Sequence, residues 1–155
     1  MKIAALKNQW IMVLMIAGLG LSVKATAHDQ IGTLGVEGNA TDYYQIICST
    51  DAGGVSDFLE VQIYDATVEQ GGGKMSAVIL REPVASTASD PVRADEFFNH
   101  DKNPGPPAFV GGGDGVYKVM VHKLKNGPKN YLLSYHCKSS VGLHTGTSIL
   151  LLQDQ

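Results

Sequence analysis

From Gly115 to Cys137 the chain reads GVYKVMVHKLKNGPKNYLLSYHC, two alternating segments joined by a turn. In the first segment Tyr117, Val119 and Val121 fall on one face under a two-residue period, and Lys118, Met120 and His122 fall on the other. In the second, Tyr131, Leu133, Tyr135 and Cys137 share a face. A helix would scatter these residues around its axis, so the pattern confines the stretch to β-structure with one face buried. Asn126-Gly127 is a hairpin signal. Pro128 pushes the residue before it toward extended geometry, so the turn is expected to be a loop of about four or five residues. The two arms are therefore expected to pair as the central hairpin of a β-sandwich. His122 and His136 lie on opposite arms and, in that register, stand too far apart along the sheet to share an ion.

The rest of the chain is punctuated in the same way. It holds 18 glycines and 6 prolines, and the segments between them are short. Ile31 to Glu37 reads as a weak first strand. In Asp42 to Ser49, Tyr44, Ile46 and Cys48 share a face. In Phe58 to Tyr64, Leu59, Val61 and Ile63 point one way and Glu60 and Gln62 the other, the pattern of a strand wet on one side. Met75 to Arg81 is a further strand, Ala108 to Val110 a short edge segment, and Gly146 to Gln153 the last strand. Ser86 to Gly105 reads as a loop. Asp90-Pro91 has the chemistry to cap a short helix reaching Phe98, so the loop is expected to hold at most one or two helical turns.

The first 27 residues have the order of an export signal. Lys2 and Lys7 precede an uncharged run of 13 residues from Ile11 to Val23, and Ala25-Thr26-Ala27 supplies the small-x-small cleavage pattern. A membrane span needs roughly 18 apolar residues, so no span is expected to remain after cleavage. The predicted organisation is a signal peptide over residues 1–27 and one domain over residues 28–155, with a periplasmic or secreted destination. Without Lys2, Lys7 and Lys24, 9 basic residues face 15 acidic ones, a net charge of −6. Such a domain repels phosphate backbones, which argues against nucleic acid as a partner.

The chain has 2 cysteines, Cys48 and Cys137. In an oxidising compartment an even count predicts one disulfide between them. The alternative is a pair of buried thiols, or one thiol used in metal binding. The expected fold is all-β, an antiparallel jelly-roll-like sandwich with one disulfide.

Four stretches carry a family resemblance: Asp42-Tyr43-Tyr44-Gln45-Ile46, Leu59 to Asp65, Gly115 to Val121, and Asn130-Tyr131-Leu132-Leu133. They resemble the bacterial pre-peptidase C-terminal domain. That family has a D-x-aromatic-x-apolar opening, a strand running into YD, then G-x-Y-x-V-x-V followed by Y-x-L. The resemblance implies a small jelly-roll-like sandwich of the kind appended to secreted enzymes as an accessory module. The cysteine pair and the Ser86–Gly105 stretch depart from the pattern.

Signatures of catalysis are missing: there is no G-x-S-x-G, no H-E-x-x-H and no C-x-x-C. The expected function is a non-enzymatic binding module for a protein, a glycan or a second copy of itself. Tyr43, Phe58 and Tyr64 fall on the side of their strands away from the core residues, and a row of aromatics can stack on sugars or dock a partner. The alternative is an exported copper-binding protein. Cleavage after Ala27 would leave His28 with a free α-amino group beside its imidazole, and these two nitrogens chelate copper when a second histidine, His136 or His144, completes the set. This arrangement resembles the histidine brace of secreted copper proteins. Calcium is a weaker alternative. Gly111 to Gly115 (GGGDG) and the aspartates in turns offer oxygen ligands, but not the alternate spacing of a calcium loop.

Overall fold

The computed structural model describes residues 28–67, 72–90 and 105–155. The expected signal peptide and the helix proposed up to Phe98 lie outside these residues. The described residues form strands and connections, with no helix. In chain order the strands are β1 (His28–Leu34), β2 (Thr41–Ser49), β3 (Phe58–Asp65), β4 (Met75–Arg81), β5 (Val84–Asp90), β6 (Ala108–Gly111), β7 (Gly115–Lys123), β8 (Lys129–Lys138) and β9 (Gly146–Gln153). They make a four-stranded sheet in the order β1-β8-β3-β6 and a five-stranded sheet in the order β5-β4-β7-β2-β9. Every pairing is antiparallel.

The alternation read from the sequence decides which side of each strand is buried. Tyr44, Ile46 and Cys48 of β2, Leu59, Val61 and Ile63 of β3, and Tyr117, Val119 and Val121 of β7 are all buried. So are Tyr131, Leu133, Tyr135 and Cys137 of β8. These residues come from both sheets and form one apolar cluster between them. Cys48 and Cys137 are disulfide-bonded with their Cα atoms 5.4 Å apart, which ties β2 in one sheet to β8 in the other. The all-β fold with one disulfide is thus as expected.

The central hairpin is not. β7 pairs with β2 and β4, and β8 pairs with β1 and β3, so the two arms lie in different sheets. The turn chemistry is used for something else. The Asn126 side chain accepts from the Gly38 amide at 2.8 Å, and the Gly127 amide donates to the Val36 carbonyl at 2.7 Å. Buried Lys123, at the end of β7, donates to the carbonyls of Gly35 and Gly127. Asn126-Gly127 therefore clasps the β1–β2 connection and does not close a tight hairpin. Gly127, at φ 118°, takes the conformation that favours glycine.

β5 is the second departure, since its residues were expected to be loop. Its sequence VASTASD has no apolar period to announce a strand. It forms because the short Glu82-Pro83 turn returns the chain along β4, where Ala88 sits opposite Ala77 and both are buried. The GGGDG segment is a crossover. It joins β6 to β7 across the two sheets and does not lead into a hairpin.

A buried polar chain crosses the core beside the apolar cluster. The hydroxyls of Tyr44 and Tyr131 are 2.5 Å apart, and Tyr131 donates to Asp42 Oδ2. The Gln155 amide donates to Asp42 Oδ1 at 2.9 Å. With the Tyr131 proton committed to Asp42, the remaining bond runs from Tyr44 to Tyr131. Burial raises the pKa of Asp42 and of both tyrosines. The C-terminal residue is also held by its carbonyl, which accepts from the Gly35 amide at 2.8 Å.

Candidate functional site

The outer face of the five-stranded sheet carries a groove of about 620 Å³. Its position follows from register. Tyr43 of β2 stands opposite Met120 of β7, and Met120 stands opposite Val78 of β4. One step along, Lys118 lies between Gln45 and Leu80. Tyr43, Leu80, Val116 and Met120 line the groove with apolar surface, and Arg81, Glu82 and Lys118 add charge. β9 reaches it through Gln153. β9 is the edge of its sheet, and Leu150, Leu151 and Leu152 are exposed along it. An edge strand offers unpaired backbone groups to a further strand.

The three aromatics expected to form one row are divided. Tyr43 lies on the outer face of the five-stranded sheet. Phe58 and Tyr64 lie on β3, on the outer face of the other sheet, where Phe58 packs edge-on against Phe109 at 5.8 Å between ring centres. Alternation shows that all three point away from the core, but it carries no information about which sheet each strand joins.

The histidines are arranged differently. His28 opens β1 opposite Tyr135, with its ring 5.7 Å from the tyrosine ring and 6.4 Å from that of His136. His144 returns on the loop after β8. That loop is pinned by the Ser139 amide on the Leu143 carbonyl and the Thr145 amide on the Cys137 carbonyl. The ring of His144 comes to 4.5 Å from that of His136. His136 therefore sits between the other two and is only 8% exposed. Its Nε2 lies 3.1 Å from the Ser134 hydroxyl, while its Nδ1 and the Nδ1 of His28 are buried without a hydrogen-bond partner. Such an atom costs about 1–3 kcal/mol. Burial, then the adjacent His144 and Lys138, hold the His136 pKa below the ordinary histidine value. Among the described residues, no group of three or more His, Cys, Asp or Glu side chains is placed to hold a metal ion. His122 stands apart, on the outer face of the five-stranded sheet opposite Thr41 and Ser76.

The GGGDG oxygens are already engaged. Asp114 accepts from the Thr50 hydroxyl at 2.6 Å, the Thr50 amide at 3.1 Å and the Ser56 amide at 3.2 Å. Arg81, stacked 4.5 Å over the Tyr117 ring, donates to the carbonyls of Gly113 and Asp114, both at 2.8 Å. Two of the loop carbonyls are thus engaged by the guanidinium. Asp65 is ion-paired with buried Lys129.

Sequence reasoning singled out Tyr43 but missed its neighbours Leu80, Val116 and Met120. The available signal was the apolar character of Val78, Leu80, Val116 and Met120 at outward positions, where a solvated face would carry polar residues. Comparison of the chain with protein-family models, with curated proteins and with solved structures found no match.

Proposed function

We propose that the chain is an exported, non-enzymatic binding module of the periplasm or cell exterior, and that it takes a protein partner on the outer face of its five-stranded sheet. The groove beside Tyr43 carries this reading. At about 620 Å³ it falls within the usual range of roughly 300–1,000 Å³ for ligand sites. Its lining mixes apolar side chains with both signs of charge, which suits a polypeptide. Tyr43 is the one aromatic ring in that lining, and a sugar-binding face relies on several. β9, which reaches the groove through Gln153, is the edge of its sheet and favours a partner that adds a strand. The accessory role implied by the resemblance to the pre-peptidase C-terminal domain points the same way.

A photo-crosslinking residue at Val116 is expected to capture a partner polypeptide in cells producing the protein. The Met120→Lys substitution is expected to abolish the capture while leaving the unfolding midpoint unchanged. Crosslinks only to a second copy of the chain would replace the reading with self-assembly. Capture that persists undiminished in Met120→Lys would refute the groove as the contact surface.

A further inference from the structure

We propose that His28, His136 and His144 form a binding site for one divalent transition-metal ion, with Cu²⁺ the most tightly held. The proposal rests on three observations that are independent of the docking groove.

The first is convergence from unrelated parts of the chain. His28 comes from the start of β1, His136 from the interior of β8, and His144 from the loop that returns after β8. Their rings lie in sequence against one another, 6.4 Å and 4.5 Å between neighbouring centres. With metal–nitrogen bonds of about 2.0–2.1 Å, two imidazoles on one ion have ring centres roughly 4.5 Å apart when adjacent and roughly 6.4 Å apart when opposed. Taken pair by pair, the spacings are those of two imidazoles on one ion, His136 and His144 as adjacent ligands and His28 and His136 as opposed ones. Tetragonal nitrogen sets suit Cu²⁺, which also stands at the top of the affinity order for divalent first-row ions.

The second is unmet hydrogen-bonding capacity. Elsewhere in this core the buried polar groups are paired: Tyr131 to Asp42, Lys129 to Asp65, and the Ser56 hydroxyl to that of Thr145 at 2.7 Å. The two buried side-chain atoms without a partner among the described residues are both in this cluster, Nδ1 of His28 and Nδ1 of His136. Orphaned buried nitrogens on two neighbouring imidazoles call for a ligand that accepts both lone pairs, and an ion does so.

The third is access with a fixed base. His136 is held in the interior of a paired strand, while His28 and His144 are half-buried at a strand end and on a loop. As they stand, no three of these side chains are placed to hold an ion. Closure requires rotation of the two half-buried rings toward the fixed one, with little change in the backbone.

The test is titration of CuCl₂ into the purified protein, followed by calorimetry and by electron paramagnetic resonance. One equivalent is expected to bind, with nitrogen hyperfine structure in the spectrum and displacement by EDTA. Loss of an outer-shell partner of a metal ligand typically weakens affinity about 10–100-fold, so His28→Ala and His144→Ala are each expected to weaken it by at least about tenfold. His122→Ala, on the other sheet, is expected to bind as the unmodified protein does. Both half-buried variants leave the core strand intact, so a failure to fold does not confuse the outcome. Absence of stoichiometric binding overturns the site. So does a His144→Ala variant that binds as tightly as the parent, since the ion would then be held without the three-ring set.

Discussion

Alanine at position 32 is expected to destabilise the domain by about 2–4 kcal/mol, against the usual direction for such a change. Gly32 lies in β1, opposite Tyr131 of β8, and its φ is not positive. An alanine backbone fits there, and a compatible Gly→Ala change ordinarily stabilises by about 0.4–1 kcal/mol through the unfolded chain. Space reverses the sign. A Cβ on residue 32 would lie 2.7 Å from Tyr131 Cε1 and closer still to Cζ and the hydroxyl. Tyr131 is fully buried and cannot swing into solvent. Forcing extra atoms into a packed core costs about 1–3 kcal/mol. A displaced Tyr131 also withdraws its hydroxyl from Asp42 and Tyr44, and a buried group left short of a partner adds about 1–3 kcal/mol. Urea unfolding of the oxidised protein, followed by far-ultraviolet circular dichroism, provides the readout. With a slope of about 1–3 kcal/mol per molar urea, the midpoint is expected to fall by about 1–2 M. Gly35→Ala is the control. There the added Cβ meets the Gln155 backbone at 3.5 Å, an ordinary contact, and the expected change is within about 0.5 kcal/mol. A Gly32→Ala midpoint equal to or above that of the parent would show that Tyr131 has room to yield and would refute the argument.

Three further outcomes follow from the same packing. The double variant Cys48→Ala/Cys137→Ala opens a loop whose ends are 89 residues apart in sequence. It is expected to lose up to about 4–5 kcal/mol on chain-entropy grounds, read as a urea midpoint that matches the reduced parent. Lys129→Met breaks the buried pair with Asp65 and is expected to lower the urea midpoint, and a midpoint unchanged from the parent would show that the pair contributes nothing. Asp114 has its pKa lowered, first by the Thr50 hydroxyl and then by the Ser56 contacts. Its contribution is present above the unfolded carboxyl value of 3.8 and is lost as pH falls through the lower folded value. Asp114→Asn is therefore expected to flatten the stability profile below about pH 4, and identical acid limbs in the two proteins would contradict this.

Most strands were legible because one face of each meets the core. The period of two in Phe58 to Tyr64 and in Gly115 to Lys123 is the imprint of that burial, and β3 and β7 fall where the pattern places them. β5 left no imprint because serine and threonine fill an edge strand that buries little beyond Ala88. Pairing was less legible than period. Asn126-Gly127 reads as a hairpin turn only if its own two arms are partners. The Val36 carbonyl and the Gly38 amide, 88 residues or more away, compete for the same groups and win.

The two candidate surfaces separate along the same line. Tyr43, Phe58 and Tyr64 all obey the outward period, yet they part company because period carries no sheet identity. The histidines show the converse. By period His136 belongs with Ser134 and Lys138 on the outer side of β8, where a histidine would be solvated, and yet it is 8% exposed. The rings of His28 and His144 lie against it. An outward polar residue that is buried must be covered by something, and here the cover is two more imidazoles. A purely structural cover needs only bulk, for which leucine or tyrosine serves better and leaves no buried nitrogen unmet. Three histidines in that role, two with buried Nδ1 atoms lacking a hydrogen-bond partner, make sense when the nitrogens themselves are what the site requires.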